Sequence, residues 1–250
     1  MLSGLDKMDL PADWRDLPRL AAAAPTMTGG RAGPDQYVNI PAGPVPYAAI
    51  ETLFSFEDVL RAKRLSGRDL REWLERAAAI YSMLDGQGGI PFLLQSEMPG
   101  FCFDMIRGLS VRIDPTRQAR YDASGNCVAP NAGRVVDVRW NNAPLRDEDM
   151  FVLAMNSFRF EGGGGFPNVG TALPDHVHGP QIRSLLHDLC RSKPNLRPQP
   201  LDWQLEPGLG CDVLFDTSPQ ALDLLDELAC FAPEVVSVTA EGFLQLRLSL

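Results

Sequence analysis

Residues 66–84, SGRDLREWLERAAAIYSML, constrain the fold more than any other stretch of the chain, because apolar residues recur there at helical spacing between clear end signals. Leu70, Trp73, Leu74, Ala77 and Tyr81 fall on one side, the pattern of a helix that must bury that side against another element. Ser66 reads as the N-cap and Asp69 as its reciprocal capping partner, while Asp85, Gly86, Gly88 and Gly89 stop the helix. The stretch that follows supplies a surface to pack against. GLSVRID (108–114), GRVVDVRW (133–140) and MFVLAMNSF (150–158) read as strands, joined by the turn clusters YDASGN and NNAPLRDED. Helices and strands are mixed without regular strand–helix–strand alternation. That order predicts an α+β fold, mixed sheets with packed helices, rather than a doubly wound one.

Three divisions follow along the chain. Residues 1–46 are a Pro/Gly-rich lead-in with a short strand or helix end at 18–24. Residues 47–192 form the core: a short helix YAAIETL, a strand SFEDVLRAKRLS (55–66), the elements above, and a helix HGPQIRSLLHDLCRS (178–192). Residues 193–250 are an extension packed on the same domain, opening with the Pro-rich KPNLRPQPLDW. It continues with a strand at 212–215, a helix at 217–230 capped by Ser218 with Pro219 at its first position, and a closing strand at 242–250.

With 250 residues, 45% of them hydrophobic, the chain has material for one large core or two modest ones. Its formal net charge of -9 repels polyphosphate backbones, which argues against nucleic-acid polymers as partners. A small anion is a different matter, since local arginines outweigh a net charge screened over roughly 10 Å. The five cysteines are scattered without CxxC or metal-ligand spacing and read as buried apolar residues, with a disulfide between some pair as the alternative. His176 and His178 form an H-x-H in LPDHVHGP with no carboxylate-rich cluster close in sequence, a poor start for a metal site. No run of 18 apolar residues suggests a membrane span, and the opening residues lack the pattern of a signal peptide.

The chemistry concentrates in NSFRFEGGGGFPNVG (156–170), where Phe158 and Arg159 precede four glycines, Gly162 to Gly165. Phe166 and Pro167 follow, not the Lys-Ser/Thr of a phosphate loop, and the spacing does not match a dinucleotide fingerprint. No G-x-S-x-G elbow, H-E-x-x-H or Asp/His cluster for two metals is present. What remains is a binding pattern. An aromatic at the end of a strand, before glycines that let backbone approach closely, can stack on a planar group. Phe158 and Phe160 could equally be core residues under a turn, and Phe54 and Phe56 in LFSFED one face of a half-buried strand. Arg31 in TGGRAGP could cradle an anion with the glycine amides or simply be solvated.

Four collinear segments resemble one family: DLPRLAAAAPTMTGGRAGP, VPYAAIETLFSFEDVLRAKRLSGRDLREWLE, FCFDMIRGLSVRIDPTRQARYD and RVVDVRWNNAPLRDEDMFVLAMNSFRFEGGGGFP. Together with the tail they resemble the C-terminal domain of the bacterial 5'-nucleotidase family, in particular its 2',3'-cyclic-nucleotide 2'-phosphodiesterase/3'-nucleotidase branch. The resemblance runs over nearly the whole chain. It implies a nucleobase- and nucleoside-recognition domain of a two-domain nucleotide hydrolase. The partner would be an N-terminal metallophosphoesterase domain holding two divalent metals, with no cofactor in this chain. By the same resemblance the base lies between two aromatics that fall on Phe56 and Phe158, and Arg31 holds the phosphate. Asn156 and the loop with Gly162, Gly163, Gly164 and Gly165 line base and ribose. Where the family has an asparagine contacting the base this chain has Asp58, which when ionised accepts but cannot donate hydrogen bonds. A periplasmic or secreted location is implied too. The opening residues read as mid-protein sequence behind an initiator Met, so a piece of a longer hydrolase is expected. The alternative is a non-catalytic structural or partner-binding module that has lost nucleotide binding.

Overall fold

The computed structural model describes residues 1–86, 88–169, 176–193 and 202–250, with the side chains of Arg31 and of residues 176–178 outside the description. Its centre is strand β7 (Met150–Asn156), whose residues alternate between two cores as the period of two in a strand requires. Phe151, Leu153 and Met155 enter one hydrophobic cluster, while Val152 and Ala154 enter another on the opposite face. A strand buried on both faces reads as a continuous apolar run, which is what MFVLAM is.

β7 is third in a five-stranded sheet. β1 (Arg19–Ala23) runs parallel to it on one side and pairs in turn with β3 (Met105–Arg107). On the other side β2 (Val59–Ser66) pairs antiparallel, with Leu60 opposite Asn156, and β8 (His176–Gln181) closes the edge. Helix α3 (Gly67–Ala78) covers the first face with Leu70, Trp73, Leu74 and Ala77. Its start is the expected capping box: Asp69 N–H donates to Ser66 Oγ at 3.2 Å and Ser66 N–H to Asp69 Oδ2 at 2.9 Å. The second face is covered by α1 (Leu2–Leu5), Trp14 and α5 (Ile182–Ser192), through Leu5, Ile182 and Leu185. Helix α2 (Tyr47–Leu53) forms over the expected residues and meets α5, where Tyr47 stacks on His187 with centroids 3.9 Å apart.

A second sheet joins β6 (Ala143–Pro144), β5 (Val135–Trp140), β4 (Leu109–Ile113) and β9 (Trp203–Leu205) in that order. A third holds β10 (Asp212–Thr217), β12 (Leu244–Ser249) and β11 (Glu234–Val238) over a small cluster of Val213, Leu244, Leu246 and Leu248. The mixed sheets and packed helices are those of the α+β expectation.

Some elements differ from expectation for identifiable reasons. Residues 55–58 precede β2 rather than belonging to it, because Asp58 turns back to hold the chain at 156–158. Helix α3 stops at Ala78, and Tyr81 bridges Leu94 instead of extending it. Residues 178–181 finish a strand and α5 begins only at Ile182. Pro180, which has no N–H to donate, is tolerated there because β8 is an edge strand. Residues 219–231 form a 3-10 helix rather than an α-helix, with Leu225 and Leu228 one three-residue turn apart against the third cluster. None of the five cysteines is in a disulfide, and the expectation that they are buried holds for Cys102 alone: Cys190 and Cys211 are half-buried and Cys127 and Cys230 are exposed. Most of the Pro-rich connection lies outside the described residues.

Candidate functional site

The two aromatics singled out in the sequence emerge at the same end of the five-stranded sheet. Phe158 stands two residues after Asn156, and Phe56 four residues before Leu60, the residue paired with Asn156. Both rings are exposed, Phe56 at 59% and Phe158 at 45%. Phe56 leans edge-on against buried Phe54, with centroids 5.8 Å apart.

Phe158 does not end a strand. β7 stops at Asn156, and residues 157–160 make a single helical turn, α4 (Ser157–Phe160). Two side chains hold this turn. Asn156 Oδ1 accepts from Arg159 N–H at 2.9 Å, and Asp58 Oδ1 accepts from Phe158 N–H at 2.9 Å and from Ser157 Oγ at 2.6 Å. Asn156 Nδ2 donates to Asp58 Oδ2 at 3.1 Å. Asp58 is thus engaged with the turn that carries Phe158, and a carboxylate suits amides at a helix start.

The turn sends Phe158 outward and Arg159 inward. Arg159 is 3% exposed and pairs bidentately with Asp104, Nε to Oδ2 at 2.7 Å and Nη2 to Oδ1 at 3.1 Å. Its guanidinium lies 4.0 Å from the Phe166 centroid and donates to the carbonyls of Phe101 and Gly163. Trp73 Nε1 donates to Asp104 Oδ2 at 3.2 Å. Burial pushes the Asp104 carboxyl up, and the Arg159 guanidinium and the Trp73 hydrogen bond offset part of that.

The glycines wrap around this arrangement. A Cβ on Gly163 would lie 2.5–2.6 Å from three ring atoms of Phe158, so the ring rests on bare backbone. A Cβ on Gly164 would collide with Arg159 Nη1, and one on Gly165 would come within 2.6 Å of the Ser124 carbonyl. Gly162, Gly164 and Gly165 have φ of 98°, 77° and 66°, values that side chains rarely adopt. The run is therefore a seat for Phe158 and a collar for Arg159.

Phe101 completes the exposed aromatic edge. It is 45% exposed and meets Phe158 edge-to-face, centroids 5.7 Å apart at 86°. The loop bearing Arg31 lies beside it, since Thr28 Oγ1 is 2.9 Å from where a Gly100 Cβ would sit. Arg31 belongs to a 3-10 turn, Gly30–Ala32, and Thr28 bridges Tyr37 across the loop. The Arg31 side chain itself, and those of His176 and His178, lie outside the described residues. Sequence reasoning missed Phe101, Asp104 and the inward role of Arg159.

Among the described residues no group of three or more His, Cys, Asp and Glu side chains is placed to hold a metal ion. No helix among them is long and apolar enough to cross a membrane.

Residues 20–171 match the family described as 5'-nucleotidase, C-terminal domain. The trifunctional nucleotide phosphoesterase protein YfkN of Bacillus subtilis is 28% identical over 217 residues, 86% of this chain and 15% of its own length. The 2',3'-cyclic-nucleotide 2'-phosphodiesterase/3'-nucleotidase of Haemophilus influenzae is 28% identical over 248 residues, 94% of this chain and 37% of its own. The protein of that name from Salmonella typhimurium is 29% identical over 218 residues, 83% and 34% respectively. Among solved structures, a 5'-nucleotidase precursor from Thermus thermophilus superposes with a TM-score of 0.56 at 18% identity, over 76% of this chain and 32% of its own. The Haemophilus influenzae NAD nucleotidase superposes at 0.53 and 15% identity, over 76% and 30%. The chain thus spans between 15% and 37% of the length of these curated relatives. With the family match extending over most of its length, this chain belongs to the 5'-nucleotidase C-terminal domain family.

Proposed function

We propose that this chain is the nucleobase- and nucleoside-recognition domain of a two-domain nucleotide hydrolase, a 2',3'-cyclic nucleotide phosphodiesterase or a 3'- or 5'-nucleotidase. The observation that carries the reading is the pair of exposed rings, Phe56 and Phe158, at one end of the sheet, the second seated on glycine backbone. Exposed aromatics held rigidly at a rim favour a planar ligand, and each stacking face is worth about 1–3 kcal/mol. Phe56 and Phe158 take the two faces of the base. Gly162, with open space above it, borders base and sugar, while Gly163 and Gly164 seat Phe158 and Arg159 behind them; Asn156 and Asp58 fix the turn beside them, and Arg31 meets the phosphate.

The ligand's phosphate is then presented to a metallophosphoesterase domain with two divalent metals, outside this chain. No residue here is assigned a catalytic role. The curated relatives support the reading, since their names are those of nucleotide phosphoesterases and they are much longer than this chain. Titration calorimetry with adenosine and 3'-AMP, alongside a phosphate-release assay with added divalent metal, tests it. Binding without turnover is expected. Absence of binding overturns the recognition role, and turnover by this chain alone overturns the placement of the chemistry elsewhere.

A further inference from the structure

We infer that Arg159 and Asp104 are positioning residues of the nucleoside site, a buried ion pair that sets the stacking platform from behind. This rests on the reading of Phe158 as a stacking face. The geometry gives the pair more to do than fill the core. One guanidinium ties together the three segments that define the platform. It belongs to the residue that follows Phe158, it holds the carbonyl of Phe101, whose ring meets that of Phe158 edge-to-face, and it holds the carbonyl of Gly163, on which the Phe158 ring rests. Asp104 fixes the fork by taking both Nε and Nη2, Phe166 stacks on its plane, and Trp73 steadies the carboxylate from α3. Both partners' side chains are 4% exposed. Apolar residues of similar volume often replace such a pair without loss of stability. The directed contacts to two carbonyls have no apolar substitute.

Lysine keeps the charge but not the planar fork, so Arg159→Lys cannot hold Asp104, Phe101 and Gly163 together. Trp73→Phe is a milder second variant, removing one hydrogen bond to Asp104 while keeping an aromatic ring in the core. Leu185→Ala, on the opposite face of the sheet, is the control that lowers stability away from the platform. Each is prepared in the full 250-residue chain, with 4-fluorophenylalanine at position 158. Adenosine affinity is read by calorimetry and the ring by fluorine NMR, well below every melting temperature. Arg159→Lys is expected to weaken adenosine about tenfold, within the roughly 5- to 150-fold span of one stacking face, and to shift and broaden the fluorine signal. Trp73→Phe should move both readouts the same way by less. Leu185→Ala should melt earlier yet keep the wild-type affinity and signal. The inference is overturned if Arg159→Lys retains wild-type affinity and signal while Phe158→Ala loses binding, or if Leu185→Ala weakens binding as much as Arg159→Lys. Wild-type and Phe158→Ala chains that are alike in failing to bind would instead overturn the stacking reading on which it rests.

Discussion

Three neighbouring glycines should respond to alanine in three different ways, because the structure uses each differently. At Gly163 the backbone lies outside the left-handed region and the obstruction is the Phe158 ring, 2.5–2.6 Å from the new Cβ. The ring is the far end of a side chain with two torsions, so it can swing away. Its lost contacts are offset by the entropy that alanine removes from the unfolded chain, about 0.4–1 kcal/mol. Gly163→Ala should therefore change stability by about 1 kcal/mol at most, yet displace the platform and weaken adenosine by roughly 5- to 150-fold, the value of one stacking face. At Gly162 a Cβ meets nothing within 4 Å, but φ is 98°, so Gly162→Ala carries a backbone penalty of about 1–3 kcal/mol. Gly164→Ala combines a φ of 77° with a collision against Arg159, and disturbing that buried pair adds a cost whose ceiling is the roughly 3–5 kcal/mol of losing one partner outright. Urea unfolding followed by circular dichroism orders the three by stability, and calorimetry orders them by affinity. The reasoning is refuted if Gly163→Ala binds adenosine like the wild type, or if all three lose equal stability.

Two further outcomes follow from contacts elsewhere in the fold. Ser66→Ala removes the capping box of α3 and should lower unfolding free energy by about 1 kcal/mol in urea, with adenosine binding unchanged. The Asp212 carboxyl, which ties β10 to β12, is held below its usual range by the hydrogen bond from Arg247 and then by Ser249. A depressed carboxylate stabilises above its unfolded pKa of about 3.9 and loses that contribution as pH falls through the folded value. Wild type should therefore melt above Asp212→Asn near neutral pH, with the gap closing in acid. A gap that stays constant to about pH 2 would contradict this linkage.

What the sequence reveals here is what is local. The capping box of α3 is legible because Ser66 and Asp69 are three residues apart and nothing distant is needed to form it. Tyr47–Leu53 and the apolar run of β7 are legible for similar reasons. The one-turn helix carrying Phe158 is hidden, because part of its capping comes from Asp58, about a hundred residues earlier in the chain. The role of Arg159 is hidden by its partner Asp104, which lies in a different loop and no period announces. The edge strand at His176–Gln181 is masked by Gly-Pro, which locally argues against a strand. Gly179 is required there because a Cβ would come 2.9 Å from that of Leu60 on the neighbouring strand. Phe56 and Phe158 could be marked as candidates from resemblance. That Phe158 rests on a glycine, with a buried ion pair beneath it, is tertiary information.

The most direct test of the central claim is the affinity of the 250-residue chain for adenosine before and after Phe158→Ala. The ring is exposed and its removal opens no core cavity, so the variant should fold as the wild type does. The account predicts a loss of roughly 5- to 150-fold with little change in melting temperature. Equal affinity for adenosine in the two proteins would contradict it.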